Sequence, residues 1–117
     1  KQLKQMEFGF KAVKAVRSNA VLVVDKDIPM TRGIGSGQTS RIGATKIALE
    51  QAGEFAKHGI LVSDSFFPFD DSVRLAARYG IGAILQQGGS INDSEVKKAA
   101  DELGIAMVFS GRRAFRH

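Results

Sequence analysis

Gly33-Ile34-Gly35-Ser36-Gly37-Gln38-Thr39-Ser40-Arg41-Ile42 runs from an apolar strand into a helix. Glycines at alternate positions let a backbone turn tightly and approach a ligand with no Cβ in the way. Thr39 or Ser40 can cap the helix that follows, and Arg41 falls in its first turn. Backbone N–H groups, the positive end of the helix dipole and a guanidinium would all face an anion placed there. The stretch reads as a phosphate or carboxylate cradle, with plain turn chemistry as the alternative. Either way it is a strand-turn-helix step, and it makes the chain α/β.

Upstream, residues 1–17 have helical spacing, with Met6, Phe10, Val13 and Arg17 on one side and Lys4, Lys11 and Lys14 apart from them. Residues 20–24 are wholly apolar and valine-rich, the pattern of a strand buried on both faces. Residues 25–29 read as a turn, and residues 30–34 as an antiparallel return strand. Asn19, between the basic helix and the buried strand, is either a helix C-cap or a neutral donor-acceptor orienting a carbonyl or amine. It precedes its strand, whereas the other candidate loops follow theirs.

Downstream, residues 40–57 form a second helix stopped by Gly59, and Gly53 inside it suggests close packing against another element. Residues 60–62 are a strand. The loop Ser63-Asp64-Ser65-Phe66-Phe67-Pro68-Phe69-Asp70-Asp71-Ser72 is far too apolar for an ordinary surface loop. Its rings can plug the core or wall a flat heterocycle, and at least one is expected in the core. Asp71 or Asp70 caps the next helix, or Asp71 hydrogen-bonds a ring amine or amide. A strand at 81–85, a second glycine-rich loop carrying Ser90 and Ile91, a helix at 94–103 and a strand at 105–109 follow. The tail ends in Arg112, Arg113, Phe115, Arg116 and His117, where arginines can bind a phosphate or simply solvate the chain end.

The order α-β-β-α-β-α-β-α-β implies parallel strands with helices over the sheet, after one antiparallel step. Ligands in such sheets collect at the carboxyl ends of the strands. At 117 residues the chain suits one domain. No apolar run nears the roughly 20 residues that span a bilayer, and no signal-like start is visible, so no membrane role is expected. The absence of cysteine removes disulfides, thiolate nucleophiles and cysteine-based zinc sites, and fits a cytoplasmic setting. Net charge is +5, which attracts anions, but the cations are spread over helices without interleaved aromatics. Nucleic acid is therefore not the expected partner.

Taken together and in order, Ser18-Asn19-Ala20, the glycine stretch through Arg41, Ser63 to Phe69, Gly88-Gly89-Ser90-Ile91 and Phe115-Arg116-His117 carry a specific resemblance. The chain is similar to the C-terminal part of the bifunctional purine-biosynthesis family. That family joins 5-aminoimidazole-4-carboxamide ribonucleotide (AICAR) formyltransferase to IMP cyclohydrolase. The resemblance covers essentially the whole chain. It implies a single domain over residues 1–117, the C-terminal half of the transformylase region. It also implies a cytidine-deaminase-like mixed sheet with helices packed on it, without the zinc of the deaminases, whose cysteine ligands this chain lacks.

The implied reaction transfers a formyl group from 10-formyltetrahydrofolate, the co-substrate, to AICAR, with no metal. By motif, Asn19 and His117 would be catalytic. Asn19, Arg41, Phe66 and Arg113 would bind AICAR, while Ile42, Asp71, Ser90 and Ile91 would face the folate. The family's proton-transferring lysine-histidine pair lies upstream of these motifs. Lys57-His58 is adjacent but misplaced, and the cyclohydrolase region is missing. A homodimer or the missing upstream part is the expected partner, and the alternative is a catalytically incomplete nucleotide-binding subunit.

Overall fold

The computed structural model describes residues 2–110. β1 (Val21–Val24), β2 (Thr31–Gly35), β3 (Ile60–Ser63), β4 (Ala83–Gln86) and β5 (Ala106–Phe109) form one sheet in the order β2-β1-β3-β4-β5. β1 is antiparallel to both β2 and β3, and β3, β4 and β5 run parallel. The early β-β step therefore gives β1 two antiparallel neighbours, not one.

Alternation in the strands builds two cores. Val21, Val23, Leu61 and Ile84 face α2 (Arg41–Ala52), α3 (Asp71–Arg78) and α4 (Asp93–Glu102). Leu22, Val24, Ile60, Val62 and Leu85 face α1 (Gln2–Val13) on the other side. All of β1 is buried, as an apolar run with helices on both faces must be. No helix among the described residues is long and apolar enough to cross a membrane.

Two element boundaries differ from the sequence reading. α1 stops at Val13, and residues 14–16 tighten into i→i−3 bonds, Ala15 N to Ala12 O and Val16 N to Val13 O. α2 stops at Ala52, followed by a 3₁₀ turn at Gly53–Ala56. Gly53 is not there for close packing: a Cβ on it would meet nothing within 4 Å. Its φ of 55° is the reason, since the helix ends there through a left-handed residue.

Two glycines of the opening stretch face a helix. A Cβ on Gly33 would lie 1.9 Å from Ala48 O, and one on Gly35 1.9 Å from Ala44 O. These glycines let the α2 backbone press directly on β2, so they serve helix-strand packing rather than ligand approach. Only Gly37, with φ 65°, makes the turn, and its N–H is bonded to Arg17 O at 2.9 Å.

Candidate functional site

Strand direction assembles one rim. The carboxyl ends of β2, β3, β4 and β5 share an edge with the amino end of β1, because Val21 pairs with both Gly35 and Ser63. Asn19 precedes its strand, yet it joins the loops that follow theirs. It lies at the amino end of β1, as the sequence implies, and the antiparallel setting of β1 brings that end to the rim.

A cleft of about 540 Å³ opens on this rim. Asn19, Arg41, Ile42, Phe66 and Asp71 line it, from the segment before β1, the start of α2, the loop after β3 and the start of α3. Thr39, Ser40, Ser65, Pro68 and Phe69 complete the wall. Ser40 is the N-cap of α2, its Oγ accepting from Gly43 N at 3.1 Å.

The aromatic loop divides its rings. Phe67 is fully buried as the core plug, held by its N–H donating to the buried Gln86 Oε1 at 2.8 Å. Phe66 is half-buried on the cleft and Phe69 is 57% exposed beside it. Asp70 occupies the N-cap position of α3 without a capping bond, and its carboxylate accepts from Arg74 Nε at 2.9 Å. Asp71 lies one residue inside the helix, accepting from Ser72 N at 2.8 Å, with an exposed side chain on the cleft wall. It is therefore not the cap that the sequence suggests.

The floor of the cleft is a charged knot. Arg41 is 8% exposed and Asp64 1%. Arg41 Nη1 donates to Asp64 Oδ1 and to Ala20 O at 3.1 Å, and Nη2 donates to Asn19 Oδ1 at 2.8 Å. Ser18 Oγ donates to the other carboxylate oxygen, Asp64 Oδ2, at 2.5 Å. A guanidinium has five N–H groups, and these three bonds leave two without a partner among the described residues. The Ser18–Asn19 peptide is cis.

Ser90 and Ile91 do not line this cleft. They sit on the next rim loop, tied to the aromatic loop by Asn92 Nδ2 donating to Pro68 O at 2.9 Å. Ser90 Oγ accepts from Asn92 N at 3.1 Å, and Ile91 is 98% exposed. Arg113 and His117 lie outside the described residues. Lys57 and His58 line a different cleft, of about 440 Å³, with Asp25, Arg32 and Phe55 at the far edge of the sheet. Among the described residues no group of three or more His, Cys, Asp or Glu is arranged to hold a metal ion.

Sequence reasoning singled out Arg41 and Asn19 but gave no role to Asp64 or Ser18. The signal was present: an aspartate at the end of a buried strand, inside the apolar loop motif, must find a cation if it is buried.

Two RibD structures from Acinetobacter baumannii share this architecture. Form 2 has a TM-score of 0.72 at 16% identity, covering 93% of this chain and 36% of that one. Form 1 also has a TM-score of 0.72 at 16% identity, covering 92% and 35%. The fold is thus the cytidine-deaminase-like mixed sheet. In sequence, the family described as AICARFT/IMPCHase bienzyme matches residues 1–51. The bifunctional purine biosynthesis protein PurH of Acaryochloris marina is 58% identical over 99% of this chain, and that of Trichormus variabilis 54% over 99%. PurH of Synechococcus elongatus is 55% identical over 97%. Over almost its whole length the chain matches these bifunctional purine biosynthesis proteins, and it spans 22% of the length of each of these relatives.

Proposed function

We infer that the chain supplies the AICAR-binding rim of an AICAR formyltransferase, which moves a formyl group from 10-formyltetrahydrofolate to the 5-amino group of AICAR. One observation carries the reading. Asn19, Arg41, Ile42, Phe66 and Asp71, which the family motifs assign to AICAR or folate, come from four separate segments and line a single cleft.

The chemistry suits such a cleft. The AICAR amine is a poor nucleophile because its lone pair is delocalised into the imidazole and carboxamide. Catalysis must bring amine and formyl carbon together, take up a proton as nitrogen attacks, and stabilise the oxygen that gains charge. Phe66 offers a flat wall for the imidazole, and the two uncommitted Arg41 N–H groups can meet an anionic or carbonyl oxygen. Asn19 lines the same cleft and is bonded to Arg41 through its Oδ1. By the resemblance, Ile42 and Asp71 on this cleft would meet the folate, with Ser90 and Ile91 on the next loop. Arg113 and His117 complete the set by resemblance alone.

The proton-transfer step lacks its residues here. Lys57-His58 sits at the far edge of the sheet, which favours a chain that binds substrate but needs the remaining part of the longer protein to turn over. Cytoplasmic placement accompanies this reading. The expected outcome for the isolated chain is AICAR binding by calorimetry and no tetrahydrofolate release when AICAR and 10-formyltetrahydrofolate are supplied together. Sustained release would overturn the incompleteness, and absence of any AICAR heat would overturn the binding role.

A further inference from the structure

We propose that Asp64, acting through Arg41, is a positioning residue that fixes the polarity of Asn19, so that Asn19 presents its amide nitrogen to the cleft as a hydrogen-bond donor. The inference deepens the formyltransferase reading and rests on it for the identity of the ligand.

The two ends of an asparagine amide are nearly isosteric, and the hydrogen-bond network decides which way it points. A guanidinium has donors and no acceptor. The atom of Asn19 facing Arg41 Nη2 at 2.8 Å is therefore the oxygen. With Oδ1 turned towards Arg41, Nδ2 is the end of the amide turned away from it, the end that would engage a molecule in the cleft. It can donate to a carbonyl or to an oxygen gaining negative charge, and it cannot accept from an amine. The ambiguous donor-acceptor of the sequence becomes a donor.

Arg41 can impose this only if it is itself immobile. Asp64 holds Arg41 Nη1, and the Asp64 carboxylate is held in turn by Ser18 Oγ. Asp64 N donates to Ala20 O at 3.1 Å, the same carbonyl that receives Arg41 Nη1. Asp64 thus joins the segment before β1, the start of α2 and the end of β3 around the Asn19 side chain. It also offsets the Arg41 charge, so the cleft floor orients a ligand more than it attracts one.

The test is NMR of the full chain labelled with ¹⁵N, first without ligand. In the wild type the Asn19 side-chain NH₂ pair should be as rigid as the surrounding backbone. In Asp64→Asn that pair should become motionally averaged while the backbone amide pattern is retained. Arg41→Lys is the second variant, because its ammonium keeps the charge opposite Asp64 but cannot bridge to Asn19 and Ala20 at once. It should free the same NH₂ pair and weaken AICAR binding by about tenfold, the worth of one such hydrogen bond. An Asn19 pair equally rigid in the variant that folds would overturn the proposal, whether or not AICAR binds. If AICAR fails to bind the wild type, the functional reading falls, while the ligand-free comparison still decides the role of Asp64.

Discussion

β1 has an aspartate-arginine pair at each end, and the two pairs do different work. At the far edge, Asp25 and Arg32 are seven residues apart in one hairpin, with Arg32 Nε donating to Asp25 Oδ1 at 2.9 Å. Asp25 Oδ2 accepts from Asp27 N at 2.8 Å and Ile28 N at 3.0 Å, and the Arg32 guanidinium lies 4.0 Å from the Phe55 ring centroid. Gln5 Nε2 reaches from α1 to Asp25 O and Ile28 O. These contacts close and clamp a turn. At the near rim, Asp64 and Arg41 come from different elements and are more deeply buried, and Arg41 lines a cleft. An ion pair that closes its own hairpin supports the fold; one assembled from distant segments against an open cavity holds a side chain in place for something that enters it.

Removing the aspartate at each end separates these roles. Asp64→Ala leaves Arg41 buried without its counter-charge, and urea unfolding should show a loss of about 3–5 kcal/mol. Asp25→Ala removes bonds to two backbone N–H groups and one guanidinium at a half-open turn, with an expected loss of about 1.5–3 kcal/mol. Equal losses would remove the distinction drawn between the pairs.

Acid provides a smaller and more selective effect. The backbone N–H groups of Asp27 and Ile28 hold the Asp25 carboxyl below its ordinary value of 3.8, with Arg32 adding to them against the opposing effect of burial. A carboxyl whose folded value is depressed contributes stability above its unfolded value and loses it as pH falls through the folded one. The stability gap between wild type and Asp25→Asn should therefore be constant above about pH 5 and shrink below pH 4, measured by urea unfolding across that range. A gap that widens in acid would contradict this account of the turn.

The legible part of the molecule was whatever depends on neighbours in sequence. The valine run of β1, the alternation of strands and helices, the turn at 25–29 and the core ring of the aromatic loop follow from local pattern and burial. Gly53 was legible as unusual but not as a positive-φ helix end, because packing and backbone conformation leave the same letter in a sequence. Gly33 and Gly35 were read as facing a ligand when they face α2, since a glycine does not say which neighbour comes close. The direction of β1 relative to β3 depends on a connection that runs through β2 and α2, so the placement of Asn19 on the rim was hidden. Asp64 and Arg41 are 23 residues apart, and only the closed sheet brings them together. Family resemblance named the motif residues, and five of them line one cleft.

The central claim is that the near rim, and not the far edge, receives a purine precursor. Titrating AICAR into ¹⁵N-labelled chain tests it most directly. The account predicts shifts concentrated at Asn19, Arg41, Ile42, Phe66 and Asp71, with Asp25, Arg32, Phe55 and His58 unmoved. Shifts centred on the far edge, or none at saturating AICAR, would contradict it.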